Sequence, residues 1–380
     1  MTRHAEIAGG GIAGLGLGMM LARRGWTVRI HERSPRIREV GSGISLRNNC
    51  VEVLEHYGVF PRLAPHGSML TAEKYFDRRG RFLQERSMAG HHRTFVMARQ
   101  TLVDVMAAVA RESGAEIVTN SLIVGADPAG ALIDENGRRY PADLAVAADG
   151  VRSRTRASLS IGAHFEEYPT RVSRWLLEGR AFTEDHTQFE IWSGDRRVGI
   201  LPCGSSQTYI YAVMPARDQG ACAMPLDVDN WSAAFPKLRA LFTALNAAEG
   251  SQVIYPLVTT PRWSAGRVAV VGDAAHGMPP TLGQGAGLSM INCHALAEVV
   301  TQSDDIEQAL EKWESSIRFL SDTTRCWAIR YDRFTRHWPR PLRMFRPTVM
   351  RAIGRIKMVN EQMRIADRGL ALTEYDLRRP

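Results

Sequence analysis

Cysteine is scarce and unpatterned in this chain: Cys50, Cys203, Cys222, Cys293 and Cys326 are all there is in 380 residues, with no C-x-x-C. An odd, scattered set excludes a disulfide framework, offers no metal-ligand spacing, and reads as free thiols. Long apolar runs are also missing. Nothing approaches the ~18 residues of a membrane span, so no integral membrane contact is expected. Low-complexity tracts and internal repeats are absent, which excludes solenoids and tethers. The stretch before the first apolar strand, Met1 to Arg3, has no room for a secretory leader, and a cytoplasmic location is the expectation. Acidic residues are in deficit, and the formal net charge is +8. Between Arg325 and Arg368 eleven Arg and one Lys face three acids. No helix-turn-helix or aromatic-basic module accompanies that run, so nucleic acid is not an expected partner. A solvated basic face is one reading of it. A docking surface for an anionic substrate, lipid or partner is the other.

What is present is led by residues 5–32, "AEIAGGGIAGLGLGMMLARRGWTVRIHE". Gly9, Gly11 and Gly14 follow a short apolar strand at G-x-G-x-x-G spacing and open an Ala/Leu/Met-rich helix. The first glycine permits the tight turn, the second lets backbone approach a pyrophosphate, and the third packs helix on strand. Glu32 closes a second strand about 20 residues on, where a carboxylate accepts from ribose hydroxyls. The motif predicts dinucleotide binding without choosing the dinucleotide.

Along the chain, the α/β pattern of residues 1–66 gives way to short alternating runs around "EKYFDRRGRFLQE". It resumes with a helical period from Arg99 to Ser113 and is interrupted again by strand-like segments such as "QFEIWS", "RVGILP" and "QTYIYAVMP". The expected fold class is therefore α/β: a Rossmann-type nucleotide domain with an inserted β-sheet domain and C-terminal helices. The boundaries read as 1–66, 98–162 and 262–335 for the discontinuous nucleotide domain and 67–97 with 163–261 for the β-rich substrate domain. Residues 336–380 form a C-terminal helical tail.

Two further strand ends carry glycines and carboxylates: "DLAVAADGVRSRTR", with Asp149, Gly150, Ser153 and Arg156, and "RVAVVGDAAHGMPPTLGQGAGLSMIN", with Asp273, His276, Pro279, Pro280 and glycines to Gly287. Ligands of open parallel sheets sit beyond such strand ends. In this order the three motifs resemble the class A flavoprotein aromatic hydroxylases, the family typified by para-hydroxybenzoate hydroxylase, over residues 1 to about 335. The resemblance implies FAD as cofactor. Gly9, Gly11, Gly14 and Glu32 would hold its ADP half, and Arg99 its phosphate or ribityl region. Asp149 and Gly150 would complete the second motif, and Asp273 would take the ribityl hydroxyls. Pro280 would lie beside the reactive face, with the backbone of Gly285, Gly287 and Leu288 at the pyrimidine edge. A helix beginning near Gly285 would aim its positive end where charge gathers on reduction. For Asp149 and Asp273 a plain helix cap, and for His276 a plain structural hydrogen bond, stay open.

Within the family, segments such as "RGWTVRIHE", "VGDAAHGMPPTLGQGAG" and "WESSIR" are most similar to the hydroxypyridine-carboxylate oxygenases. That resemblance implies Arg197 as a carboxylate ligand, since arginine grips a carboxylate through two parallel bonds. It implies Tyr209 and Tyr75 as ring-orienting tyrosines. A solvated strand edge at Arg196–Arg197 and packed aromatics at Tyr209 and Tyr211 are the alternatives. The chain departs from that group at Arg47, where an aromatic is expected, and at Pro279, where a cysteine is. With Arg47 and Arg197 in the pocket, an anionic substrate is favoured.

The implied activity is NAD(P)H- and O2-dependent monooxygenation through a flavin C4a-hydroperoxide. NADH or NADPH is the co-substrate and a small electron-rich aromatic or N-heteroaromatic the substrate. A homodimer is left open. So are a non-hydroxylating FAD enzyme of the same fold, a redox sensor that binds FAD without turnover, and a plain NAD module.

Overall fold

The computed structural model describes residues 2–371 apart from 39–41, 89, 337, 339 and 355. Its first sheet runs in the order Ser264–Ala265, Val268–Val270, Leu144–Ala147, His4–Ala8, Thr27–His31, Ala115–Val118. All neighbours pair in parallel except the edge strand Ser264–Ala265. Leu144–Ala147 and Val268–Val270 are apolar throughout and wholly buried, as strands covered on both faces must be. His4–Ala8 has Thr27–His31 on one side and Leu144–Ala147 on the other. The winding reverses there, which opens a crevice at its carboxyl end.

Helix Ile12–Ala22 leaves that end and is buried from Ile12 to Leu21 all round its circumference, between helices Arg99–Glu112 and Gly285–Thr301. Its glycines serve this packing. A Cβ on Gly14 would collide with the Gly9 carbonyl oxygen, and one on Gly16 would come within 2.8 Å of Met290 Sδ.

A second, seven-stranded sheet runs Gly250–Thr259, His164–Glu178, Gln207–Pro215, Arg196–Cys203, Thr187–Ser193, Ala72–Asp77, Phe82–Ser87. Parallel pairing of Thr187–Ser193 with Ala72–Asp77 joins two segments more than a hundred residues apart. One face packs Val198, Ile200, Ile210 and Met214 onto Trp231, Phe235 and Phe242. The other face looks toward the first sheet. The small antiparallel sheet Gly43–Arg47, Thr94–Ala98, Gly67–Leu70 links the two. The result is the expected fold class, α/β with an inserted β-rich layer and C-terminal helices.

After the long helix Ile306–Arg336 the chain does not trail away. Helices Arg346–Gly354 and Lys357–Met363 and the turn Ile365–Arg368 bring it back onto helix Asn48–His56. Residues 372–380 of the expected tail lie outside the described residues. No helix among the described residues is long and apolar enough to cross a membrane.

Candidate cofactor and substrate site

One continuous cavity of about 580 Å³ starts at the carboxyl end of His4–Ala8 and ends against the inner face of the seven-stranded sheet. At the first end, Gly9 holds φ +112 and Gly11 stands at the helix N-cap with φ −85. Unlike Gly14, Gly11 faces open space: a Cβ there would meet nothing within 4 Å. Here the backbone lies bare where a phosphate would approach, and the donors of the helix N-terminus face it. Glu32 is held in place by the backbone N–H groups of Gly10 (3.1 Å) and Ser34 (2.8 Å), one to each oxygen. Both oxygens keep lone pairs for hydroxyls.

Arg99 borders the cavity at the start of its helix. Asp149 and Gly150 border it as well, but the Asp149 carboxylate accepts from the Ser153 hydroxyl and from Thr155 N and Oγ1 (3.1 and 3.0 Å). It shapes the turn that presents Gly150 to Arg152. Asp273 is exposed on the cavity wall.

Pro280 is exposed and borders the cavity, in the turn Pro280–Leu282 that precedes helix Gly285–Thr301. Gln284, Gly285, Ala286 and Ser289 continue the wall, but Gly287 and Leu288 do not. This corrects the expectation for Leu288. Its N–H donates to the Gln284 carbonyl (2.9 Å) as the first rung of the helix ladder, and its side chain is fully buried. The N–H groups the helix leaves free are those of Gly285, Ala286 and Gly287. A Cβ on Gly287 would strike the Asn49 amide, so this glycine lets helix Asn48–His56 press against that first turn.

The far end is built by strand alternation. Successive side chains point to opposite faces, so Glu73, Tyr75, Gln188, Glu190, Arg197, Tyr209 and Tyr211 all face one way. Gly199 lies between Glu190 and Tyr211 in the cross-strand row, and a Cβ there would overlap the Tyr211 ring. Its missing side chain lets that ring lie across the sheet, so that its hydroxyl donates to Glu190 Oε2.

Three of the chamber arginines are already engaged. Arg47 donates to the Leu282 carbonyl (3.2 Å) and Thr94 Oγ1 (2.9 Å) and pairs with Glu73 (3.3 Å). Arg197 lies between Asp332 (3.3 Å) and Glu190 (3.8 Å). Arg364 Nε lies 3.4 Å from Asp367. The expectation that Arg47 and Arg197 offer free positive charge is therefore corrected, because carboxylates from distant elements neutralise both. Tyr75 is buried, its hydroxyl donating to Glu73 (2.8 Å). Burial, above all, holds the Tyr75 and Tyr211 hydroxyls well above the ordinary tyrosine range. Tyr209 packs against Gly43, and its hydroxyl has no hydrogen-bond partner among the described residues, so it remains free to orient a ring.

His276 does not border the cavity. It is buried with Nε2 2.8 Å from Asn292 Nδ2, and desolvation lowers its pKa to about 4. The structural reading of this histidine fits.

Several residues of the wall had no sequence signal. Glu73, Arg86 and Glu190 sit on strands that looked merely amphipathic. Tyr331 and Asp332 come from the long helix and Met363, Arg364 and Asp367 from the returning C-terminal segment. A clue lay in Asp332 and Asp367, isolated acids in the basic run, since a lone acid among arginines is apt to be paired. Asp367 is 2% exposed and accepts from Gln284 Nε2 (2.6 Å), and Gln284 in turn accepts from Asn49 (2.9 Å). Burial would raise its pKa, but His92, Arg47, Arg364 and Gln284 outweigh this and hold it below the usual carboxylate range.

A family model described as FAD binding domain matches residues 2–303. A putative 2-heptyl-3-hydroxy-4(1H)-quinolone synthase of Rhodococcus erythropolis is 33% identical over 372 residues, 96% of each chain. A 2-heptyl-3-hydroxy-4(1H)-quinolone synthase of Mycobacteroides abscessus is 36% identical over 328 residues, 83% of this chain and 86% of that one. Among solved structures, the tetrameric form of 2-methyl-3-hydroxypyridine-5-carboxylic acid oxygenase superposes with a TM-score of 0.85 at 29% identity, over 97% of this chain and 96% of that one.

Proposed function

Because the chain belongs to the FAD binding domain family, as a FAD-dependent monooxygenase of the class A aromatic hydroxylases, we propose that it hydroxylates an N-heteroaromatic ring bearing a hydroxyl or oxo group, with NADH or NADPH as reductant. The observation that carries this reading is the single cavity. It joins a dinucleotide turn to a chamber lined by tyrosines and compensated charges. The solved relative is named for a hydroxypyridine carboxylate and the two sequence relatives for a quinolone, both nitrogen rings that carry oxygen.

The residues fit FAD. Gly11 leaves the cradle a Cβ would fill, Glu32 would meet the ribose, and Arg99 and Asp273 would serve the phosphates and the ribityl chain. When bound, FAD supplies electron transfer from the nicotinamide and activation of O2. The protein does the rest. The amides of Gly285 and Ala286, which border the cavity, would stabilise negative charge at the pyrimidine edge. Pro280 and the sheet face close the chamber to water, and Tyr209 orients the ring. Arg47, Arg197 and Arg364 carry their own counter-ions, so they do not select for an anion. The ring is recognised by shape and by one oxygen.

The test is anaerobic stopped-flow reduction of the yellow holoprotein by NADH and NADPH, with and without 4-quinolones and hydroxypyridine carboxylates. Faster reduction with one class of ring supports the proposal and selects the substrate. Indifference to every ring overturns it.

A further inference from the structure

Arg86, on strand Phe82–Ser87, differs from Arg47, Arg197 and Arg364. Among the described residues it has no ion pair, and its one hydrogen bond is to the Tyr331 hydroxyl (3.3 Å). Its guanidinium lies over the rings of Tyr75 and Tyr331, 5.3 and 5.7 Å from their centroids, and it borders the cavity. Burial alone would disfavour its charge, but Tyr331, Tyr75 and Glu73 outweigh burial and hold its pKa above the ordinary guanidinium value. The charge therefore persists. Beyond these ring contacts, what the guanidinium has left to offer is its edge, where five N–H groups lie in one plane and one donates to Tyr331.

We propose that Arg86 is the substrate ligand of the chamber, its free N–H edge gripping an oxygen of the ring to be hydroxylated. That oxygen is either an exocyclic carboxylate or the oxo or phenolate oxygen of the ring itself. Both are planar acceptors suited to an arginine fork. The role rests on the monooxygenase reading above. It moves the recognition of an anionic or polarised oxygen from Arg197, which carboxylates hold, to a residue the sequence did not single out.

The experiment titrates the holoprotein with 5-hydroxynicotinate, 3-hydroxypyridine and 4-quinolone, following the flavin absorbance change, in wild type, Arg86→Met and Arg86→Lys. For at least one ring that the wild type binds, Arg86→Met should raise Kd at least 30-fold and leave the FAD Kd within twofold. Arg86→Lys keeps the charge but loses the fork, and should fall between; it also serves if the methionine variant does not fold. If the loss is confined to 5-hydroxynicotinate, the carboxylate is the contact. An equal loss for 3-hydroxypyridine or 4-quinolone assigns the ring oxygen. Ring binding within threefold of wild type in both variants overturns the role of Arg86 alone. A parallel loss of FAD affinity in both also overturns it, by showing a structural part. A wild-type holoprotein that binds no ring overturns this proposal together with the monooxygenase reading.

Discussion

Replacing Arg197 by methionine separates a substrate ligand from a structural cation. Arg197 is 7% exposed, with carboxylates 3.3 and 3.8 Å away. At an effective dielectric of about 20, each contact carries roughly 4–5 kcal/mol of Coulomb energy, and desolvation of the three ions offsets most of that sum. Removing the cation keeps the desolvation cost of Glu190 and Asp332 and abolishes what compensated it. Breaking a buried pair from one side costs about 3–5 kcal/mol. With ~4 kcal/mol and about 1.3 °C per kcal/mol for a chain of 380 residues, the apoprotein Tm should drop by roughly 5 °C. Calorimetry or far-UV thermal melting of apoprotein, without substrate, measures it. Neutralising the partners as well, in Arg197→Met/Glu190→Gln/Asp332→Asn, should restore most of the loss, because no buried charge is left alone. An Arg197→Met apoprotein that melts within 1–2 °C of wild type would refute the reasoning and return Arg197 to the role of a simple substrate ligand.

The two glycines of the opening motif should part company. Gly14→Ala forces a methyl into the Gly9 carbonyl and should cost the apoprotein more than about 2 kcal/mol, whereas Gly11→Ala, at a φ open to alanine, should leave its Tm unchanged and weaken FAD binding at least ~10-fold. Similar effects of the two variants in both assays would contradict the assignment. Stability should also depend on pH through His276 and His294, which burial lowers from 6.5 to about 4. The unfolded chain binds their protons first, so stability is complete above pH 6.5 and lost as pH falls, by about 2 kcal/mol per histidine at pH 5. A urea midpoint that stays flat from pH 7 to 5 would rule this out. Asp367→Ala deprives Gln284 Nε2 of its acceptor beside the helix N-terminus, and about 10-fold weaker FAD binding is the expected result of a fluorescence titration on apoprotein. Unaltered affinity would show that the C-terminal segment is not part of the cofactor site.

The cofactor end of the site was legible because its requirements are local. A positive φ at Gly9, an uncovered backbone at Gly11 and a carboxylate at the end of the second strand are properties of single turns, so spacing in the sequence reports them directly. Leu288 shows the limit of that logic. Its place in a glycine-rich turn suggested an available amide, and one turn of helix geometry consumes it. At the chamber end the sequence pointed to Arg47, Tyr75, Arg197 and Tyr209, but the compensation of the two arginines was not legible, because their partners lie elsewhere in the chain. Glu73 is 26 residues from Arg47, and Asp332 is 135 from Arg197. Arg86 went unnoticed for a related reason: in a hairpin rich in charge, nothing local marks one arginine as enclosed by two tyrosines.

By itself the sequence determined the fold class, the FAD family and the bare glycine backbone of the first strand-to-helix turn, because these follow from short-range geometry and from motifs carried within single turns. Which charges in the chamber are spent and which are free was decided only by the tertiary structure. A carboxylate neutralises an arginine through distance, and here the distances are set by sheet register, by the absent side chain of Gly199, and by a C-terminal segment that folds back to place Arg364 and Asp367 in the wall.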